Sequence, residues 1–164
     1  MFPPESERLL TLAEIAVAMA GFSAIVVLFK RREPGTWLAT DADRFNGMIV
    51  HSMMAAALCG LPMLIGVFTH DVHRLWTIAS AVMGLQVAGH AGLVLFYLQT
   101  TQRWAAAIVG AGGLTVVVLQ VLNVLGIGFD AEFGPYVVGV CWHLFHTGML
   151  FTMLVWVREE SIER

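Results

Sequence analysis

WAAAIVGAGGLTVVVLQVLNVL, residues 104–125, is a continuous stretch of apolar and small residues that contains no charged side chain. As an α-helix it is about 33 Å long, and the hydrocarbon core of a bilayer is roughly 30 Å thick. Inside a bilayer no water is present to pair free backbone groups, so a helix is the conformation expected of such a stretch. Residues 104–125 therefore predict a transmembrane helix.

Four further stretches of similar length and character accompany this one. They run from about residue 9 to 29, 45 to 68, 75 to 98 and 136 to 157. Only residues 99–103 join the third stretch to the fourth, which predicts that these two helices are antiparallel neighbours. We expect a single transmembrane domain over residues 1–164, folded as an all-α polytopic membrane protein with a five-transmembrane-helix bundle.

The composition excludes an ordinary soluble domain. Hydrophobic residues make up 58% of the chain and charged residues 13%, which leaves too little polar surface to cover a soluble core. The net charge of −3 and the lack of a basic stripe argue against nucleic-acid binding. The sequence contains neither the His-Glu-x-x-His of metalloproteases nor the serine elbow of hydrolases, so no catalytic activity is predicted. The partner that the composition predicts is a lipid bilayer.

The basic residues predict the orientation of the bundle. Five spans place the two termini on opposite faces of the membrane. One face would carry Lys30, Arg31, Arg32, Arg44, Arg103, Arg158 and Arg164, and the other only Arg8 and Arg74. Because the basic face of a membrane protein is cytoplasmic, we expect the N-terminus outside and the C-terminus inside, in a membrane of the bacterial inner (plasma) membrane type.

Small residues recur every four positions in several of the predicted helices, and such ridges let helices approach closely in lipid. Two of these ridges carry the packing prediction. They are Ala16, Ala20 and Ala24 in the first helix, and Ser80, Gly84, Ala88 and Gly92 in the third. The ridges predict packing within the chain or between subunits, and we expect a homo-oligomer. Pro62 in the second helix has no N–H, which predicts that the carbonyl of Leu58 loses its helical partner.

Polar residues inside the spans are the candidates for function, because such groups are expensive in lipid and therefore face protein or water. The candidates for a transport path or a cofactor site are Glu14, His51, Gln86, His90, Gln120, His143 and His146. Counted at about 1.5 Å per residue, Glu14 and Gln120 lie near the outer face. His51 and His90 lie deepest, at nearly equal depth, and the remaining candidates lie between. The sequence therefore predicts a discontinuous polar track toward the inner face.

The track favours a small homo-oligomeric channel or transporter for protons or cations. Histidine suits a proton relay because the pKa of free imidazole lies near the working pH. Gln86 precedes His90 by four residues, so it lies one turn away and supports the imidazole.

Two alternatives use the same residues as ligands. His51 and His90, on neighbouring helices at matched depth, suit the two axial positions of a haem b, as in a membrane subunit of an electron-transfer complex. A metal ion is the other possible ligand, with His51, Met54, His90 and His146 as its candidates, because imidazole and thioether groups suit copper.

Two further hypotheses need no ligand. The chain could be a non-catalytic assembly subunit that docks its small-residue ridges on a partner in a membrane complex. Each histidine could serve only as a hydrogen-bonded link between helices. The hypotheses differ in one geometrical requirement, because a ligand site needs imidazoles from separate helices to meet.

Overall fold

The computed structural model describes residues 5–30, 39–97 and 103–156, and every regular element in these residues is an α-helix. The helices are α1 (Ser6–Lys30), α2 (Ala39–Phe68), α3 (Val72–Tyr97), α4 (Arg103–Leu125) and α5 (Phe133–Trp156). The predicted all-α fold with five helices is confirmed. α2 begins at Ala39 rather than near residue 45, because a polar turn that includes Asp41 is helical as well, and a carboxylate is favourable in a first helical turn.

Four of the described helices, α1, α2, α4 and α5, are long and apolar enough to cross a membrane. They indicate a membrane protein. α3 has 26 residues but is not one of these four within the part of the chain that the structure describes. It carries two of the candidate polar residues, Gln86 and His90.

The side chains are distributed as expected for a protein in lipid. Phe68, Leu85 and Leu114 expose 83%, 75% and 64% of their surface. The buried polar residues are Ser23, Asp41, His51, Ser52, Ser80, Gln120, Asn123, His143, His146 and Thr147. In water, an exterior as apolar as this would be a site of association. In a membrane it would be covered by lipid tails, which are as apolar as leucine.

The bundle consists of two groups of helices. In the α1–α2–α5 group, α2 packs against both α1 and α5, and in the α3–α4 pair the two helices pack along each other. The contacts between the two groups are less extensive than those within them. Buried side chains from both groups, among them Trp76, Met83, Tyr136 and Val140, form a common core.

Pro62 lies inside α2 and cannot donate to the carbonyl of Leu58, as the sequence predicts. The structure supplies a substitute. The hydroxyl of Tyr136 in α5 donates a hydrogen bond to the Leu58 oxygen at 2.5 Å. Tyr136 is fully buried, so the freed carbonyl and the phenol satisfy each other where no water is available.

The small-residue ridges are divided between the interior and the surface. Ser80 is fully buried, and a Cβ added to Gly84 would lie 3.2 Å from Cβ of Gln120, so this part of α3 is pressed against α4. Ala88 and Gly92, further along the same ridge, are exposed. In α1, likewise, Ala16 and Ala20 are buried and Ala24 is exposed. Two residues of each ridge therefore pack within the chain, and the remainder of each ridge is exposed.

A polar latch closes the connection between α4 and α5. Asn123 donates to Oγ of Ser80 at 2.8 Å and to the carbonyl of Glu132 at 2.9 Å, and it accepts from the Glu132 amide at 2.8 Å. Gln120, one turn earlier, donates to the carbonyl of Pro135 at 2.7 Å. These bonds fix the position of the first turn of α5, and hence the level along the bundle at which its histidines lie.

Candidate functional site: a buried cluster of histidines

Three helices each bring histidine to the interior of the bundle. α2 contributes His51, α3 contributes His90, and α5 contributes His143 and His146. Since residues three apart in a helix share a face, the last two both point toward α2 and α3. His51, His143 and His146 are buried, and His90 is half-buried.

The rings meet around His51. Its ring centroid lies 3.9 Å from that of His146, 4.5 Å from that of His90 and 5.3 Å from that of His143. The rings of His90 and His146 are 5.8 Å apart. The four imidazoles therefore form a single histidine cluster, and Trp142 borders it with its ring centroid 6.2 Å from that of His146.

Hydrogen bonds hold one side of the histidine cluster. Nδ1 of His51 lies 3.0 Å from Nδ1 of His143, and Nε2 of His143 lies 2.9 Å from Oε1 of Gln86. Next to His51 in α2 and one turn after His143 in α5, the hydroxyls of Ser52 and Thr147 are 3.4 Å apart. Thr147 also donates to the backbone carbonyl of His143 at 3.1 Å. Three helices are thus tied together at the level of the rings.

The other side of the histidine cluster has free ligand atoms. His51, His90 and His146 each present a ring nitrogen such that the three lie within 4.8 Å of one another. Nε2 of His90 and Nδ1 of His146 are buried without a hydrogen-bond partner among the described residues. Imidazole binds zinc, copper, iron and nickel, and Zn–N bonds of about 2.0–2.1 Å bring ligand nitrogens to roughly 3.4 Å from one another. The three ring nitrogens would therefore have to move closer together to bind one ion.

The other candidate residues lie apart from the histidine cluster. Glu14 is on the exposed face of α1. Gln120 is bonded to Pro135, eight residues before His143 on α5 and thus about 12 Å away along the helix. Met54, one turn after His51, packs against the apolar core. The structure brings together Gln86 and the four histidines of the cluster, whereas Glu14 and Gln120 lie elsewhere.

The predicted spread of the histidines over depth is wrong. His51 lies roughly 25 Å from the end of α2, whereas His143 lies roughly 15 Å from the start of α5. Their nitrogens are nevertheless in contact. The prediction assumed that neighbouring helix ends are level, but the contact between His51 and His143 shows that the end of α2 and the start of α5 are offset along the bundle. The histidines therefore form a compact group and not a track.

The position of Gln86 also differs from the expectation. Four residues before His90, it was expected to support that imidazole, but its bond goes to His143 on α5. Helical spacing reports only neighbours on the same helix. The similar counted depth of Gln86 and the α5 histidines is the one sequence feature that points toward this bond.

A haem between His51 and His90 does not fit this arrangement. Axial ligands of one haem lie on opposite faces of the macrocycle, with its plane between them. The two rings instead make an edge-to-face contact with an interplanar angle of 89°, and at their separation of 4.5 Å no plane can be inserted. The cluster suits an ion better than a macrocycle.

Comparison of the chain with protein-family models, with curated proteins and with solved structures finds no match. The function is therefore argued from the geometry of the histidine cluster.

Proposed function

We propose that this protein is a membrane cation transporter whose ion-binding site consists of His51, His90 and His146, and that the ion is a transition metal. The observation that carries the proposal is the convergence of three ring nitrogens from three helices within 4.8 Å. Ionisable and polar groups inside a membrane mark substrate and ion pathways. Imidazole is a ligand for transition metals, whereas magnesium and calcium prefer oxygen.

The unpaired nitrogens support a ligand over a purely structural role. A hydrogen-bonded link between helices needs each buried polar atom to find a partner, and an unpaired one costs about 1–3 kcal/mol. Nε2 of His90 and Nδ1 of His146 lack such a partner among the described residues. A metal ion accepts the lone pairs of both nitrogens and removes the cost.

A carrier is favoured over an open channel. Between the histidine cluster and the end of the bundle that holds the α4–α5 connection, a Cβ added to Gly139 would lie 2.8 Å from Sδ of Met83. Met83 is fully buried, so apolar contact fills the α3–α5 interface there. An ion released to that side needs the helices to separate first.

We propose that α3 also spans the membrane, which gives five spans with the N-terminus outside and the C-terminus inside. At 26 residues α3 is about 39 Å long, and it packs along α4, which is apolar enough to span. Two of the polar residues that it carries into the bundle, Gln86 and His90, are in contact with histidines of other helices. The orientation rests on the excess of basic residues on one face.

We propose further that the protein is a homo-oligomer. Glu14 is exposed on α1 within a helix able to cross the membrane, and a carboxylate facing lipid is costly. Ala88 and Gly92 offer a small-residue surface on α3 that the chain itself leaves exposed. A second copy covers such surfaces better than lipid does. A partner subunit of another membrane complex is the alternative occupant.

The test of the site is metal binding by the purified protein in nanodiscs, with Zn²⁺ and Cu⁺ as probes. Wild type should bind one ion per chain, and His90→Ala should lower the affinity by more than about 100-fold, because loss of a ligand exceeds the effect of a supporting residue. His73→Ala is the matched control, since His73 is exposed at the start of α3. Equal binding by wild type and His90→Ala would show that the site is misassigned.

The test of transport is uptake of the same ions into proteoliposomes that contain a metal-sensitive dye. Wild type and His73→Ala should fill the vesicles, and His90→Ala and His146→Ala should not, while their helicity remains that of wild type. Binding without uptake in wild type would reject transport and leave a membrane metal-binding protein.

A further inference from the structure

The hydrogen bonds of His143 constrain which nitrogen of each ring carries a proton. A neutral imidazole has one N–H donor and one nitrogen with a lone pair. The amide of Gln86 is oriented so that Oε1 faces Nε2 of His143 at 2.9 Å. Because a carbonyl oxygen can only accept, Nε2 of His143 carries the proton, and Nδ1 of His143 has the lone pair.

The same reasoning applies to the tautomer of His51. The two Nδ1 atoms of His143 and His51 are 3.0 Å apart, and one must donate to the other. Since Nδ1 of His143 has the lone pair, Nδ1 of His51 is the donor. Nε2 of His51 is then left with its lone pair, which is the form required of a metal ligand.

We propose that Gln86 and His143 form a relay that fixes His51 in the tautomer that binds the ion through Nε2. The inference rests on the proposed metal site and adds two residues that do not touch the ion. Metal-ligating histidines generally donate their second N–H to a carboxylate, a backbone carbonyl or a water that orients the ring, and such acceptors raise the basicity of the ligand. Here the acceptor is a second imidazole, held in turn by an amide on another helix.

The relay explains why a half-buried glutamine lies against the histidine cluster. Its oxygen sets the direction of both hydrogen bonds without adding a charge to the interior. The set of ligand atoms follows, with Nε2 from His51, the unpaired Nε2 from His90 and the unpaired Nδ1 from His146. His143 is a positioning residue and not a ligand, because its two nitrogens are both used in the relay.

The experiment compares Gln86→Leu with Gln86→Glu. Leucine removes the acceptor, so the affinity for Zn²⁺ or Cu⁺ should fall about 10–100-fold, as for other residues that support a ligand. Glutamate keeps an oxygen toward His143 and should hold the affinity at or above that of wild type. Thr77→Val is the control on the same helix, since the Thr77 hydroxyl donates to the carbonyl of His73 in α3 itself, about 13 Å along the helix from Gln86, and this variant should bind metal as wild type does.

A second measurement tests the relay in the absence of metal. Nitrogen NMR of ion-free protein labelled at histidine should show His143 protonated at Nε2 and His51 protonated at Nδ1. Gln86→Leu should mix the tautomers of both rings. The opposite tautomers in wild type, or equal affinity losses in Gln86→Leu and Gln86→Glu, would overturn the relay. Absence of metal binding by wild type would instead reject the proposed site, while the NMR spectrum would still decide the relay.

Discussion

Nδ1 of His51 and Nδ1 of His143 lie 3.0 Å apart although the residues are separated by 92 positions in the chain. The pair joins α2 to α5 in the interior of the bundle, and through Gln86 it joins both to α3. The donor of each hydrogen bond in this series is determined by the direction of the next bond. Removal of one of the three side chains is therefore expected to affect the bonds of the other two.

The first prediction concerns the coupling between His143 and Gln86. His143→Leu leaves the Gln86 oxygen and Nδ1 of His51 without their partner, so it should destabilise the protein by about 1–3 kcal/mol. Adding Gln86→Leu should cost less in that background than in wild type, because the amide is then already unpaired. Unfolding in mixed detergent micelles measures the four proteins of this cycle. Strictly additive losses would mean that the two residues do not share a bond.

The second prediction concerns the carbonyl that Pro62 leaves free. Tyr136→Phe removes the hydroxyl that donates to Leu58 and should lower the free energy of unfolding by about 1–2 kcal/mol. Pro62→Ala restores an N–H to the helix, so Tyr136→Phe should cost less when it is combined with Pro62→Ala. The same unfolding assay serves as the measurement. If Tyr136→Phe lowers the free energy of unfolding as much in the Pro62→Ala background as in wild type, the proposed exchange of partners is contradicted.

The third prediction compares two glycines of α4. A Cβ at Gly112 would collide with the ring of Trp142, whereas one at Gly110 would meet nothing within 4 Å. Gly112→Ala should therefore destabilise by about 1–3 kcal/mol, and it should also weaken metal binding because Trp142 borders His146. Gly110→Ala should be neutral or stabilising by up to about 1 kcal/mol. Similar melting temperatures for the two variants would count against the packing described for α4 and α5.

The fourth prediction concerns self-association. Gly92 is exposed and a Cβ there meets nothing within 4 Å, whereas Gly84 is pressed against Gln120. Gly92→Leu should lower the oligomeric state in nanodiscs and leave the stability of the monomer unchanged, and Gly84→Leu should destabilise the monomer itself. Mass photometry and thermal unfolding separate the two effects. A wild-type protein that remains monomeric at high concentration would remove the basis for the oligomer.

The fifth prediction concerns topology. If five helices span the membrane with the N-terminus outside, a fluorescent protein fused to the C-terminus should be fluorescent and an alkaline phosphatase fused there should be inactive. A phosphatase inserted in the connection between α2 and α3, at residues 69–71, should be active. Activity at both positions would indicate an even number of spans.

The sequence predicts the fold well because its main determinant is local. Residues 104–125 are apolar enough to require a helix in lipid whatever surrounds them, and the same holds for α1, α2 and α5. The freed carbonyl at Leu58 is also a local effect, since it follows from the ring of Pro62. The partner that satisfies it, Tyr136, is 78 positions away and could not be read from the local pattern.

The site is harder to predict because it depends on how helix ends are offset. Counting residues from each boundary separated His51 from His143 by about 10 Å, and the offset between α2 and α5 cancels that separation. The same count placed Gln120 on the predicted transport path, although its amide donates a hydrogen bond to the carbonyl of Pro135 at the start of α5. The sequence identified the residues that are expensive in lipid, but which of them meet is decided by packing.

The two groups of helices described above contribute unequally to the histidine cluster. His51, His143 and His146 belong to the α1–α2–α5 group, whereas Gln86 and His90 belong to the α3–α4 pair. An ion bound at the proposed site would link the two groups, because His90 belongs to one group and His51 and His146 to the other. Separation of the two groups would remove His90 from the ion and weaken its binding, and by linkage the bound ion would oppose that separation to the same extent. In the proposed transporter, opening and release are therefore coupled through the imidazole of His90.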